Sequence, residues 1–329
     1  MRAARSIAGR RLLQPALAAL VAVLAPASSF PCDSTCCLML TRGTSGLQGR
    51  GGFQIDASFR YTDMSTRLQG AEPTDSAIRP KVLLEAGQII PGYHDDREGT
   101  ESVLQLDAAW GVASATTVFA SWPVLTRKYY VIGHGGVQTT YNIRGAGDPV
   151  VGARQAFFRG PGHVLVASVG IQLPFGADDR LDEFDSTILD PTMQPGTGSG
   201  DLITALQWSA AGPGRTEMTL SGTYQVNTTN SYDYRFANTA IAAVTVGRPV
   251  GRLTPSLQVK LFNQGRSELG NTPVPSTGAT VVYLNAGLRY RSAEGVGIYG
   301  HALVPLYRQM NDAQLAPRFS ILFGLSKAF

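Results

Sequence analysis

Pro317-Arg318-Phe319-Ser320-Ile321-Leu322-Phe323-Gly324-Leu325-Ser326-Lys327-Ala328-Phe329 runs with a period of two. Residues 319, 321, 323 and 325 are large and apolar, whereas 318, 320, 324 and 326 are small or polar. That period belongs to a strand with two unlike faces and not to a helix. One face asks for an apolar surround, the other tolerates water, and Phe329 stands where a barrel strand meets the membrane interface.

The same pattern extends back through the chain. From Gly51 onward, segments of about ten residues alternate apolar with polar and are parted by Gly, Pro, Asn and Asp, the strand-and-turn signature. In the first segment Phe53, Ile55, Ala57, Phe59 and Tyr61 share one face and Gln54, Asp56, Ser58, Arg60 and Thr62 the other. Asp56 and Arg60 are too costly to place against lipid, so their face is the lumen. Further strands are expected near 101–113, 115–129, 147–159, 163–175, 200–210, 215–227, 237–248, 254–264, 279–291, 295–307 and 317–329. The fold class that follows is all-β, an antiparallel up-and-down transmembrane β-barrel of twelve strands, with ten or fourteen as alternatives.

The connections carry the argument further. Links after the even-numbered strands are tight (Ser114, Gly160 to Gly162, Ala211 to Gly214, Pro249 to Leu253, Ser292 to Glu294), while 64–100, 130–146, 176–199, 228–236, 265–278 and 308–316 are mostly longer. Short turns at one end and long loops at the other describe a barrel with periplasmic turns and extracellular loops. Within the first loop, Lys81 to Pro91 reads as a short helix, a lid or an extra hairpin.

Residues 1–27 read as a secretory signal peptide, with Arg2, Arg5, Arg10 and Arg11 before the apolar run Leu17 to Leu24 and the small-residue site Ala25-Pro26-Ala27. The chain has 28 basic and 24 acidic residues, and cleavage after Ala27 would remove four arginines and leave 24 against 24. The basic excess therefore belongs to export and gives no argument for nucleic acid. Mean hydropathy near zero fits a barrel, in which only alternate residues meet lipid. Residues 28–50 form an expected periplasmic segment with Cys32, Cys36 and Cys37, and 51–329 a single barrel domain. One disulfide with a spare thiol, or a redox contact, is the expectation for the cysteines; C-x3-C-C lacks a haem signature and a second metal-ligand pair. The expected location is the outer membrane of a Gram-negative cell, with the lipid bilayer and lipopolysaccharide as surroundings.

If the registers hold, the lumen receives Asp56, Arg60, Gln105, Asp107, Asp148, Arg154, Asp201, Gln207, Glu217, Gln225, Gln258, Lys260, Arg289, Arg291, Tyr299, His301 and Arg318. Such a face either lines a pore whose charges set selectivity or fills a narrow barrel with ion pairs. The outward set includes Trp110, Trp122, Trp208, Phe157, Tyr290, Leu257, Val259, Leu261, Leu284, Leu288, Phe323 and Phe329. Asp178, Asp179, Asp182, Glu183, Asp185 and Asp190 make 176–199 an acidic loop facing solvent, with inward folding as a constriction its alternative. Their spacing is not that of an EF-hand. His94, His134, His163 and His301 lack a nearby serine, and no G-x-S-x-G, P-loop or dinucleotide motif occurs, so neither catalysis nor a cofactor is expected.

From about Gly51 to Phe329 the chain resembles the outer-membrane barrel family associated with the meta-cleavage pathway of phenol degradation. The resemblance is carried by Gly147-Asp148 opening a strand that holds Arg154, by Gln172-Leu173-Pro174-Phe175-Gly176, by Gln194-Pro195-Gly196-Thr197-Gly198-Ser199-Gly200-Asp201, and by the C-terminal aromatic. Phe175 stands where a small polar residue is usual, and Lys327 interrupts the apolar face of the final strand. The resemblance implies passage of small molecules, hydrophobic or aromatic ones among them, and no catalytic residues. A different expectation is a non-conducting structural or assembly protein whose N-terminal cysteines dock a periplasmic or redox partner. Phe329 is the expected contact for the barrel-assembly machinery.

Overall fold

The computed structural model describes residues 46–133 and 136–329. Twelve long strands follow one another: β1 Phe53–Met64, β2 Gln88–Gly111, β3 Thr116–Ile132, β4 Val150–Gly160, β5 His163–Gln172, β6 Asp201–Ala211, β7 Glu217–Val226, β8 Thr239–Gly247, β9 Leu253–Gln264, β10 Ala279–Arg291, β11 Val296–Met310 and β12 Phe319–Ala328. Each pairs antiparallel with its neighbours in chain order, and β1 pairs with both β2 and β12. The sheet is therefore closed at twelve strands, which removes the edges that lipid cannot satisfy. Residues 1–45, with Cys32, Cys36, Cys37 and the expected signal peptide, and His134 lie outside the described residues.

Alternation decides which face is which. On β9, Gln258 and Lys260 are 2% and 4% exposed, while Leu257 and Val259 are 52% and 46% exposed on the outside. An outer surface of exposed leucines and valines is stable only where the surround is apolar. On β12 the outward residues are Phe319, Ile321, Phe323 and Leu325, and the buried Ser320 and Leu322 turn inward. Lys327 shares the outward face, but its Nζ bends to the Glu294 carbonyl at 2.6 Å and lies 5.7 Å from the Phe329 ring centre. A long basic chain can thus sit on an apolar face and still reach the polar rim.

Two features depart from simple alternation. A bulge between Ala156 and Phe158 on β4 sends both Phe157 and Phe158 outward, which puts two aromatics side by side at the periplasmic rim. β2 and β3 are also longer than expected, because 88–100 and 130–132 continue the ladder beyond Met64, the end of β1. The first loop carries the extra hairpin, in which Ile78–Leu83 pairs with the outer half of β2, and Gln138–Ala146 pairs with the outer half of β3. Turns at the other end stay tight; in the one from Arg291 to Val296, Gly295 takes a φ of 79°, a conformation that favours glycine.

Candidate functional site

The inner face is largely polar, interrupted by small apolar clusters such as Val103, Leu125 and Leu322 and the pair Ile241 and Phe262, and its buried polar groups survive only when partnered. Toward the extracellular end, Glu101 lies between two arginines: Arg60 Nη2 at 3.0 Å and Arg127 Nε at 2.7 Å. Arg127 Nη1 also donates to the Gln194 carbonyl at 2.6 Å, tying the barrel wall to the loop 176–199. Gln105 donates to Asp107 at 2.7 Å and to Ser121 at 2.9 Å, and the Ser121 hydroxyl donates to Asp107. Across the seam, the Tyr299 hydroxyl donates to Asp56 at 2.7 Å. Arg154 lies 4.5 Å from the Phe119 ring centre and donates to the Gly46 carbonyl at 2.9 Å. On the facing wall, Lys260 lies 4.8 Å from the Tyr283 ring centre.

At the extracellular rim Asp148 and Asp201 organise a second network. Asp148 accepts the Gly176 amide at 2.8 Å and the Thr197 amide and hydroxyl at 2.7 and 2.9 Å. Gln172 bridges Asp148 and Asp201 at 3.3 and 3.0 Å, and Asp201 accepts the Thr228 amide at 2.9 Å. These two residues open strands, yet what they hold is returning loop.

Above this rim the loops form a cap. Val82, Leu84, Ile188, Tyr234, Phe236, Leu269 and Val274 make one buried apolar cluster. They come from the loops after β1, β5, β7 and β9; since β1–β2 and β7–β8 lie on opposite sides of the twelve-strand ring, the cluster spans the mouth. Ile143, Leu189 and Met193 form a smaller one beneath. The acidic loop is thus only partly solvated: Asp182 and Asp190 are buried, while Asp179, Glu183 and Asp185 stay exposed. The physical reason is a set of counter-charges on the first-loop hairpin and outer β2. Lys81 pairs with Asp182 at 3.3 Å and with Asp185, and Arg79 pairs with Asp96 at 3.1 Å. His94 joins Asp96 at 2.9 Å to Asp190 at 3.2 Å. Burial works to lower the His94 pKa, but the hydrogen bonds to Asp190 and Asp96 and their charges outweigh it and raise it to about 9. Asp96 moves below its ordinary value, since the attraction of Arg79 and His94 exceeds the cost of burial.

At the periplasmic end the interior widens into a cavity of about 430 Å3. Its wall includes Asp56, Glu217, Thr245, Ser256, Arg289, Arg291, Tyr299 and His301, with Leu47 and Gln48 of the incoming chain on one side. Gln48 is fixed by its amide on the Thr117 hydroxyl at 2.8 Å and by its side chain on Gln54 at 2.7 Å. Glu217 is exposed at the mouth, 3.9 Å from Arg289.

Of the residues singled out from the sequence, Asp56, Arg60, Asp107, Lys260, Arg289 and His301 lie on buried or half-buried inner positions, and Arg291 is exposed at the cavity mouth. Arg318 is exposed just before β12, where its backbone amide donates to the Asp63 carbonyl at 2.8 Å, and its side chain points away from these networks into solvent. His163 stacks on Trp208 at 5.7 Å on the periplasmic rim. Glu101 and Arg127 were passed over although the signal was present: both share the parity of Gln105 and Ser121, which places them inward. Among the described residues no group of three or more His, Cys, Asp or Glu is arranged to hold a metal ion.

Comparison with known proteins agrees with this architecture. Residues 101–306 match the family model described as "Putative MetA-pathway of phenol degradation". The crystal structure of an outer membrane channel from Pseudomonas putida F1 superposes with a TM-score of 0.60 at 11% identity, covering 86% of this chain and 97% of that one. The translocator domain of the autotransporter NalP from Neisseria meningitidis gives a TM-score of 0.47 at 11% identity, covering 96% and 98%. No curated protein matches the chain.

Proposed function

We propose, from the premise that this chain belongs to the MetA-pathway phenol-degradation family, that it is an outer-membrane channel for small molecules, hydrophobic or aromatic ones among them. The observation that carries this reading is the polar inner face opening onto the periplasmic cavity, while the outer face is apolar around the ring. In a channel of this kind Asp56, Arg60, Asp107, Arg154, Lys260, Arg289, Arg291 and His301 set conductance and ion preference, and Asp148 and Asp201 act by holding the returning loops. The protein is a conduit and not a catalyst. Its lipid surround includes lipopolysaccharide, and Phe329 is the contact for assembly.

A second reading, a non-conducting barrel that docks a periplasmic or redox partner, draws on the loop cap over the extracellular mouth. Planar-bilayer recording and liposome swelling separate the two. The channel reading expects steady unitary currents from the folded protein and faster solute entry into its liposomes. A correctly folded barrel that passes neither ions nor small aromatic solutes sinks it.

A further inference from the structure

We infer that the periplasmic cavity binds a small monocyclic carboxylate gripped by Arg289 and Arg291, an inference that rests on the channel reading for its place in transport. Glycine on the inner face of three adjacent strands makes room for the side chains that wall the cavity. A Cβ at Gly287 would lie 2.5 Å from His301 Nδ1, one at Gly297 2.5 Å from Ser326 Oγ, and one at Gly324 2.1 Å from Tyr299 Cζ. Over these glycines two rings lean apart. Tyr299 crosses Gly324 toward Asp56 on β1, and His301 crosses Gly287 toward Asn285 at 3.2 Å on β10. Their ring centres are 6.0 Å apart and inclined at 65°, edge to face. The volume of about 430 Å3 falls in the range of small-molecule pockets.

The charges choose the ligand. Arg289 and Arg291 are two apart on β10, so both point inward, with their Cα atoms about 6.6 Å apart by strand rise. Guanidinium forks match the planar geometry of a carboxylate and bind it through paired, charge-assisted hydrogen bonds. Glu217, 3.9 Å from Arg289, already offsets one positive charge, and Asp56 stands across the cavity. A monoanion therefore fits better than a phosphate dianion. The hydroxyls of Thr245 and Ser256 and the rings of Tyr299 and His301 complete a pocket for one acid group on one ring.

The test titrates benzoate, with neutral benzamide beside it, into the folded full-length barrel in detergent micelles by calorimetry. Two variants accompany it: R289Q/R291Q, which removes the grip, and Gly297→Leu, which fills the cavity and keeps both arginines. Retention of fold is read from heat-modifiable gel mobility. Saturable benzoate binding is expected, at least tenfold tighter than benzamide and at least tenfold weaker in either variant. Equal affinity for benzamide, binding unchanged in a folded variant, or failure to saturate overturns the inference; if neither variant folds, the benzoate and benzamide pair on the parent decides. Bilayer recording separates this from the parent reading. A conducting protein that ignores benzoate loses the site and keeps the channel, whereas a non-conducting protein that binds it loses the channel and keeps the site.

Discussion

Glu101→Gln is the substitution that most directly probes the buried interior. Glu101 is about 7% exposed and holds Arg60 at 3.0 Å and Arg127 at 2.7 Å, so neutralising it removes the negative charge that two buried cations share. Removing one member of a buried ion pair costs about 3 to 5 kcal/mol, chiefly because the remaining charge stays desolvated. Arg127 keeps its bond to the Gln194 carbonyl, which limits the loss on that side and places the expectation near the lower end of the range. The contrasting case is Asp312→Asn, which breaks the exposed pair between the last long loop and Arg266 of the loop after β9, where about 0 to 1 kcal/mol is expected. Urea unfolding of the protein in lipid vesicles, followed by tryptophan fluorescence, reads both. Adding Arg127→Gln to Glu101→Gln should recover part of the loss, since one of the two buried positive charges disappears. If the two single substitutions cost the same, the interior is wetter than the geometry implies and the argument from desolvation fails.

Leu257→Arg or Leu284→Lys places a charge on the lipid face of β9 or β10 and should impair insertion by about 2 to 4 kcal/mol near the bilayer midplane; normal folding yields for both would show the register to be wrong. Lys260→Gln should shift the reversal potential in a salt gradient while leaving the folded mobility intact, and an unchanged ion preference would point to an occluded lumen. The His94 latch gives a pH dependence with a definite sign. Its pKa rises from 6.5 to about 9, so its contribution to the cap is full below 6.5 and is lost as pH climbs through about 9. Protease sensitivity of 176–199 should therefore increase in that alkaline window and lose its pH dependence in His94→Gln; flat sensitivity in the parent protein would refute the latch.

Much of the barrel was legible because strand physics is local. The period of two around Phe323, the tight turn at Gly160 to Gly162 and the polar face of β1 each follow from a few neighbouring residues. The outer half of β2 and the last three residues of β3 were not legible, because residues such as Glu98 and Tyr130 pair outside the membrane, where no apolar alternation is required. The acidic loop was harder still. Asp182 and Asp190 look like solvent ligands in sequence, and their burial depends on Lys81 and His94, which lie some ninety or more positions away. The cavity's walls were not legible for a similar reason: the room that Gly287, Gly297 and Gly324 leave for His301, Ser326 and Tyr299 exists only once three strands lie side by side.

The closing rung of the ring has a temporal meaning. The Phe329 amide donates to the Phe53 carbonyl at 2.8 Å, and β12 meets β1 along the rungs from Gln54–Ala328 to Asp63–Phe319. β1 and β12 are the first and last of the twelve strands in chain order, so the edge of β1 stays unsatisfied until all twelve have assembled. In hydrocarbon each such edge group costs several kcal/mol. Closure is therefore an all-or-none event of membrane insertion, and a chain lacking β12 is expected to persist as an export intermediate that cannot settle into the bilayer.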